Sequence, residues 1–337
     1  MTQRFLSSLA TLTVAALFAT LFATLLTACA TPVDTQPIYA AHVAAFAKSQ
    51  PHQSMKVSRA DGQQLAVREF NPALRGKGPT VVLLHGFPDN QHLYDLLIPS
   101  LTPTHHVISF DFLGWGDSAK PAGHLYNVAS QRADLDAVVK HFALQQVVIV
   151  VHDLSGHSGI DWALDNEAQT ASLALLNTYY QNMPTLIAPE AIKTYSTPGW
   201  LRDLAIWGSG KSPERFKTGV GSQLRSFFSN PASRDTMIPV ITHTAAEIRP
   251  AFISSTSVLW PEIAERDKNV QRMQAFKKPV WVIFGADDPY LNSGVAQEFA
   301  RIFPNSSLIL LSQAGHYVQL DRGDEVGRIL LGKLAAK

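Results

Sequence analysis

Apolar residues along the chain fall into three regimes. From Phe5 to Val33 no charged residue interrupts a stretch of apolar and small side chains. From about residue 50 onward, short apolar runs alternate with segments whose apolar positions recur every three to four residues. Lys56 to Phe70, with Asp61-Gly62 between two extended halves, predicts a β-hairpin. The runs Thr80–His85, His106–Phe112, Gln146–Asp153, Ser172–Asn177, Pro279–Phe284 and Ser307–Leu311 predict strands too uniformly apolar to have a wet face. Val128–Phe142, Val295–Phe303 and Glu325–Leu334 predict helices between them. Alternation of this kind predicts an α/β fold, a mostly parallel sheet with helices on both faces. The third regime runs from about Met183 to Lys278, where the rhythm breaks. It is helix-rich, carries Trp200, Trp207 and Trp260, and predicts a helical lid inserted over the carboxyl ends of the strands. The expected organisation is a tether with a short helix (Ala40–Ala47) at 29–50, a core at 51–182 and 279–337, and a lid at 183–278.

Composition narrows the class. With 337 residues, 46% hydrophobic and 16% charged, the chain can bury a large core. A net charge of +1 offers no basic surplus, so nucleic acid is not an expected partner. The stretch ending Leu26-Thr27-Ala28-Cys29 follows one early positive charge, Arg4, and has the secretory signal pattern over residues 1–28. That ending resembles the bacterial lipobox, which implies a lipid anchor on Cys29. Cys29 is the only cysteine, so no internal disulfide can form. Ala30 resembles the outer-membrane sorting pattern, which implies the periplasmic face of the outer membrane in a bacterial envelope. An uncleaved N-terminal membrane helix is the alternative, because the apolar stretch is long enough to span a bilayer. Removing residues 1–28 takes one base, Arg4, from the 28 Lys+Arg and leaves 27 against 27 acids.

One stretch carries the chemistry. In VVIVVHDLSGHSGIDWAL, residues 147–164, an apolar strand runs into His152 and Asp153 and then into a helix pattern. A buried carboxylate without partners is costly, so an Asp there is hydrogen-bonded or kept for a task. A strand, a sharp turn with a reactive residue at its tip and a helix make a nucleophile elbow. Val151, Asp153, Ser155 and Gly156 fill its small-x-nucleophile-x-small-small frame. Val151 is bulkier than the usual first residue, which strains the turn. Ser155 and Ser158 fall out of frame and read as first-turn residues of the helix. His85-Gly86-Phe87-Pro88 follows the first long strand, where the amides of Phe87 and Leu154 can form an oxyanion hole. DFLGWGDS, residues 111–118, is a glycine-rich loop expected to shape the pocket floor, with Asp111 and Asp117 making loop hydrogen bonds. WVIFGADDP ends a strand on Asp287 and Asp288, and LLSQAGH ends the last strand on His316. Nucleophile, acid, histidine is the chain order of an α/β-hydrolase triad. His85 is expected to brace the oxyanion loop and His152 to be packed.

On HGFPD, DFLGWGDS, VHDLSG, FGADDP and AGH, the chain resembles the α/β-hydrolases of the epoxide hydrolase and haloalkane dehalogenase group. The resemblance covers about residues 55–335 and is weakest in the lid. It implies Asp153 as nucleophile, His316 as general base and Asp288 as its orienting acid. Asp288 is preferred to Asp287 because it stands three residues after Gly285 and directly before Pro289. It implies an alkyl ester on Asp153 that water, activated by His316, hydrolyses without metal or organic cofactor. The implied substrates are a small apolar organic molecule and water. Dehalogenases of this group bind halide through an Asn after the first His-Gly and a Trp after the nucleophile, where this chain has Phe87 and Leu154. Fluoroacetate-type enzymes place an Arg beside the nucleophile, and Leu154 and His157 supply no such charge. Epoxide hydrolases share HGxP and use two lid tyrosines as proton donors. Tyr179, Tyr180 and Tyr195 are the candidates here, while Ser254–Trp260 offers no late tyrosine. The expectation is an epoxide hydrolase-like enzyme, with a haloalkane dehalogenase-like one as the alternative. Further alternatives are a carboxylic ester hydrolase, disfavoured by Asp in place of Ser, and a catalytically silent lipoprotein binding a hydrophobic ligand.

Overall fold

A computed structural model describes residues 34–335. The expected signal segment, Cys29 and the tether up to Val33 lie outside the described residues. Among the described residues no helix is long and apolar enough to cross a membrane.

The described chain opens with helix α1 (Gln36–Ser49), then the hairpin β1 (His52–Ser58) and β2 (Gln64–Phe70). Strand β3 (Thr80–Leu84), the single turn α2 (Ile98–Leu101) and β4 (Val107–Phe110) follow. Next come α3 (Val128–His141), β5 (Val147–Asp153), α4 (Ser155–Asp165) and β6 (Thr170–Thr178). Seven α-helices then form the lid: α5 (Glu190–Ser196), α6 (Trp200–Ser209), α7 (Pro213–Leu224), α8 (Pro231–Ile241), α9 (Arg249–Ser257), α10 (Leu259–Arg266) and α11 (Val270–Ala275). The core resumes with β7 (Val280–Gly285), α12 (Ser293–Ile302) and β8 (Ser306–Leu311), and closes on α13 (Val318–Asp321) and α14 (Gly323–Ala335).

The strands form one sheet in the order β1-β2-β4-β3-β5-β6-β7-β8. The hairpin and its neighbour β4 are antiparallel; β4 onward is parallel. Parallel strands covered on both faces must be apolar throughout, and β3 and β6 are buried at every position. Helix starts follow local chemistry: the Asn127 side chain accepts from Ser130 N at 3.0 Å, and Asn292 from Gly294 N at 3.0 Å.

The first helix is longer than its apolar run predicts, because tertiary contacts hold both ends. Tyr39 stacks on His243 beyond α8 at 3.8 Å, and Phe46 packs edge-on to Phe70 at 6.0 Å. Between them, His42 Nε2 lies 2.9 Å from the buried Asp95 carboxylate.

The strand order reverses direction at β3: the chain steps outward to β4, then returns to place β5 on β3's other side. A crevice opens at such a switch point beyond the carboxyl ends of the strands, and there open α/β sheets bind ligands. The loops after β3 and β5 meet there, and those after β6, β7 and β8 lie in register beside them.

Candidate active site

Asp153 ends β5 with φ +50, a left-handed conformation that costs a non-glycine residue energy. Its surroundings hold it there. Thr178 Oγ1 donates to its carbonyl at 2.6 Å, and Phe87 N donates to its Oδ2 at 3.1 Å. The Leu154 amide also bonds to the carboxylate. Ser155 starts α4 at once; its hydroxyl accepts from His152 N at 2.9 Å and lies 3.0 Å from the Leu84 carbonyl, tying β5 to β3.

Glycine is needed where the elbow is tightest. A Cβ on Gly156 would sit 2.1 Å from Thr178 Oγ1. A Cβ on Gly159 would sit 2.3 Å from Val151 Cγ1. The second contact resolves the oversized residue in the elbow frame: the helix gives way to Val151 one turn further on, at Gly159.

The other two members arrive from neighbouring strand ends. Asp288 Oδ2 lies 2.9 Å from His316 Nδ1, and His316 Nε2 lies 3.9 Å from Asp153 Oδ1. Asp287 points elsewhere and accepts from Ser229 Oγ at 3.2 Å. Asn177, at the end of β6, orients Asp288. Its Nδ2 donates to Asp288 Oδ2 at 3.1 Å, while its Oδ1 accepts from Gly285 N at 2.7 Å. The amides of Tyr290 and Leu291 donate to Asp288 Oδ1 at 2.9 and 3.1 Å. Burial opposes a charge on Asp288, but the His316 charge and these donors outweigh it and hold the carboxyl below its ordinary range. Burial also opposes a charge on His316, yet Asp288, Asp153 and Asp89 together raise it to about 9. Asp153 itself is raised, by burial first, against the pull of His316 and the two amides. His316 therefore lies between two acidic side chains that favour its charged form.

His85 and His152 are braces. Phe112 N donates to His85 Nε2 at 3.1 Å and His85 Nδ1 donates to Gly86 O at 2.8 Å, pinning the Phe87 loop. Burial pushes His85 down to about 4, so it stays neutral in that role. His152 is buried with Nε2 3.0 Å from the His316 carbonyl. Asp111 accepts from Gln91 N at 2.6 Å and Asp117 N at 2.8 Å, and so stitches the glycine-rich loop to the turn after Phe87.

The three tyrosines part ways. Tyr180 donates to Asp161 and accepts from Asn269 Nδ2 at 2.6 Å, in a network that Arg266 closes onto Asp161 at 2.7 Å. That hydroxyl ties α4 to the end of the lid. Tyr195 donates to the Ala205 carbonyl at 3.3 Å and sets its ring edge-on to Phe252. Only the Tyr179 hydroxyl, among these three, makes no hydrogen bond with the described residues; burial and the Asp153 charge raise it well above its ordinary value. Phe87 stacks on Phe252 at 4.8 Å and meets Trp115 at 5.3 Å, giving the crevice an apolar wall.

Sequence reasoning assigned no part to Asn177, Asp89, Tyr317 or Phe227. Asp89 was visible in HGFPD. It is fully buried, accepts from Tyr317 Oη at 2.9 Å, and is lifted to about 7 by burial and the Asp153 charge. Phe227, in the lid, accepts from His316 N through its carbonyl at 2.9 Å. Asn177 closes an apolar strand, a signal of the kind that marked Asp153.

A profile of the alpha/beta hydrolase fold matches residues 79–323. A haloalkane dehalogenase of Mesorhizobium japonicum is 25% identical over 270 residues, covering 75% of this chain and 83% of its own. Among solved structures, a bacterial membrane phospholipase A superposes with a TM-score of 0.70 at 18% identity, covering 99% of this chain and 98% of its own. An epoxide hydrolase superposes with a TM-score of 0.64 at 19% identity, covering 85% and 99%. At those identities the two structures establish the fold alone. The profile, spanning most of the chain over the strands and loops just described, decides the matter: the protein belongs to the alpha/beta hydrolase fold family and is an enzyme of the hydrolase type.

Proposed function

We propose that the protein opens small apolar epoxides through an alkyl ester on Asp153. The observation that carries this reading is an aspartate at the tip of the elbow, with one oxygen on the Phe87 amide and the other 3.9 Å from His316 Nε2. A carboxylate there attacks saturated carbon, whereas a serine would attack an acyl group. Asp153 bonds to a ring carbon, the carbon–oxygen bond breaks, and the departing oxygen takes a proton from Tyr179. Ester formation removes the Asp153 charge and lowers His316 from its resting value, so His316 gives up its proton, the Tyr179 oxygen regains one through solvent, and the neutral imidazole is free to act as a base. Water then adds to the ester carbonyl, its proton passes to His316, and the oxyanion rests on the amides of Phe87 and Leu154. Collapse breaks the ester carbon–oxygen bond, the departing diol oxygen takes the proton that the added water left on Asp153, and the carboxylate and the charged His316 are regenerated.

The second reading is carbon–halogen displacement, favoured by the dehalogenase among the sequence relatives. It lacks a side-chain halide donor at Phe87 and Leu154. The deciding experiment compares diol formation from small epoxides with bromide release from bromoalkanes of matched size. Faster diol formation supports the proposal, and faster bromide release moves the protein among the dehalogenases.

We also propose that Cys29 carries a lipid anchor placing the enzyme at the periplasmic face of the outer membrane. Cys29→Ser should release the protein from the membrane fraction. Retention of that variant would favour the uncleaved apolar helix.

A further inference from the structure

Helix α6 presents an apolar face that nothing in the described chain covers. Trp200, Leu204 and Trp207 recur at helical spacing on one side, with Leu201 beside them, and all four are exposed, Trp200 to 68% and Trp207 to 62%. The opposite side holds the helix to the lid. Arg202 Nε donates to the Tyr195 carbonyl at 2.9 Å, and Arg249 Nε to Ser209 Oγ at 3.1 Å. The outward face is thus rigidly displayed. Lys211 lies over the Trp207 ring at 4.2 Å. Lys211, Arg215 and Lys217 follow the face, while Arg202 is turned to the lid and Arg225 pairs with Asp235.

The chain's own length says what covers this face. On the attachment proposed above, the uncharged stretch from Phe5 to Val33 would tie the chain to a membrane whether Cys29 is acylated or the stretch remains as a span. From Cys29 to Gln36 is seven residues, which reach about 25 Å at full extension. The first turn of α1 sits on the lid, because Tyr39 stacks on His243 at the end of α8. Helix α7 touches both α8 and α6. A tether this short, leaving the body beside the lid, keeps the lid side close to the bilayer. Trp and Leu on one face flanked by Lys and Arg suit the boundary between headgroups and acyl chains.

We infer that α6 docks on the bilayer to which the N-terminal segment attaches the chain, seating the lid at the lipid surface so that apolar substrate is taken up from the membrane. This rests on the membrane attachment proposed above, and the test separates the two. The full-length protein is reconstituted in phosphatidylethanolamine–phosphatidylglycerol vesicles with and without brominated acyl chains. Trp115, Trp162 and Trp281 are buried, so bromolipid quenching reports on the exposed indoles. Wild type should co-sediment with vesicles and lose emission to bromolipid. Leu201→Glu/Leu204→Glu keeps every tryptophan and alters only exposed positions; it should co-sediment equally, melt at the same temperature and lose most of the quenching. Co-sedimentation without quenching in wild type overturns the docking and leaves the attachment standing. Absence of co-sedimentation overturns both. Shielding of the indoles in a vesicle-free dimer overturns the docking by giving the face to a second copy.

Discussion

At the residue scale the division of labour within the triad is open to direct test. His316→Gln should leave ester formation intact and block its hydrolysis, so a stable mass increase should accumulate on Asp153. Asp153→Ala should abolish both adduct and turnover; an enzyme active without Asp153 would refute the ester. A single turnover in isotopically heavy water should place the label in Asp153 rather than in product, because water attacks the ester carbonyl. The His316 charge is sustained by Asp288, Asp153 and Asp89, in that order, against burial. Removing one neighbouring negative charge favours the neutral imidazole, so Asp153→Asn should bring the value down from about 9, as read by imidazole NMR titration. An unchanged titration would mean that His316 does not sense Asp153. Tyr179→Phe should slow epoxide opening by about two to four orders of magnitude, the span of a lost proton donor. Tyr180→Phe should spare the rate and instead lower the melting temperature, since its hydroxyl serves the Asp161–Arg266 network.

At the element scale the elbow depends on how closely α4 approaches the sheet. Gly159→Ala would drive a methyl into Val151 Cγ1, and overpacking of that kind costs about 1–3 kcal/mol. Denaturant unfolding should register that loss, and Val151→Ala in the same chain should recover most of it. Equal losses in the single and double variants would mean that the two side chains do not compete. The lid is not merely laid over the sheet. Phe227 accepts from the His316 amide, and Ser229 N and Asn230 N donate to Asp321 at 2.9 and 3.0 Å. The segment between α7 and α8 therefore fixes the loop that carries His316.

At the scale of the whole molecule, Asp153 stands at the carboxyl end of a central strand beside the inserted lid, where Phe87, Trp115 and Phe252 form an apolar wall. An apolar wall of this kind should favour small apolar substrates over charged ones, which would lose hydration against it; comparing turnover of a neutral epoxide and its carboxylate analogue checks this. Substrate choice then turns on who stabilises the departing atom. A missing oxyanion-type donor costs about 3–4 kcal/mol, or two to three orders of magnitude in rate. Neither Phe87 nor Leu154 brings a side-chain donor, whereas the Tyr179 hydroxyl is free of other partners among the described residues. Diol formation should accordingly exceed bromide release on matched substrates, and the reverse ratio would overturn the choice.

The sequence by itself determined the sheet, because strands buried on both faces cannot hide their uniform apolar runs. It determined the elbow as well, since a carboxylate ending the most apolar run demands a reason, and the order Asp153, Asp288, His316 supplied one. The sequence also preferred Asp288 to Asp287, but only the tertiary structure shows what holds Asp288 toward His316, because Asn177 arrives from the neighbouring strand. Tertiary structure decided that Gly159 accommodates Val151, a compensation one helical turn away that no local frame contains. It separated the three tyrosines, because a hydroxyl's task depends on what it bonds, and Asp161 and Ala205 claim two of them from distant segments. Local pattern reports what a residue needs; only the fold shows which neighbour meets the need.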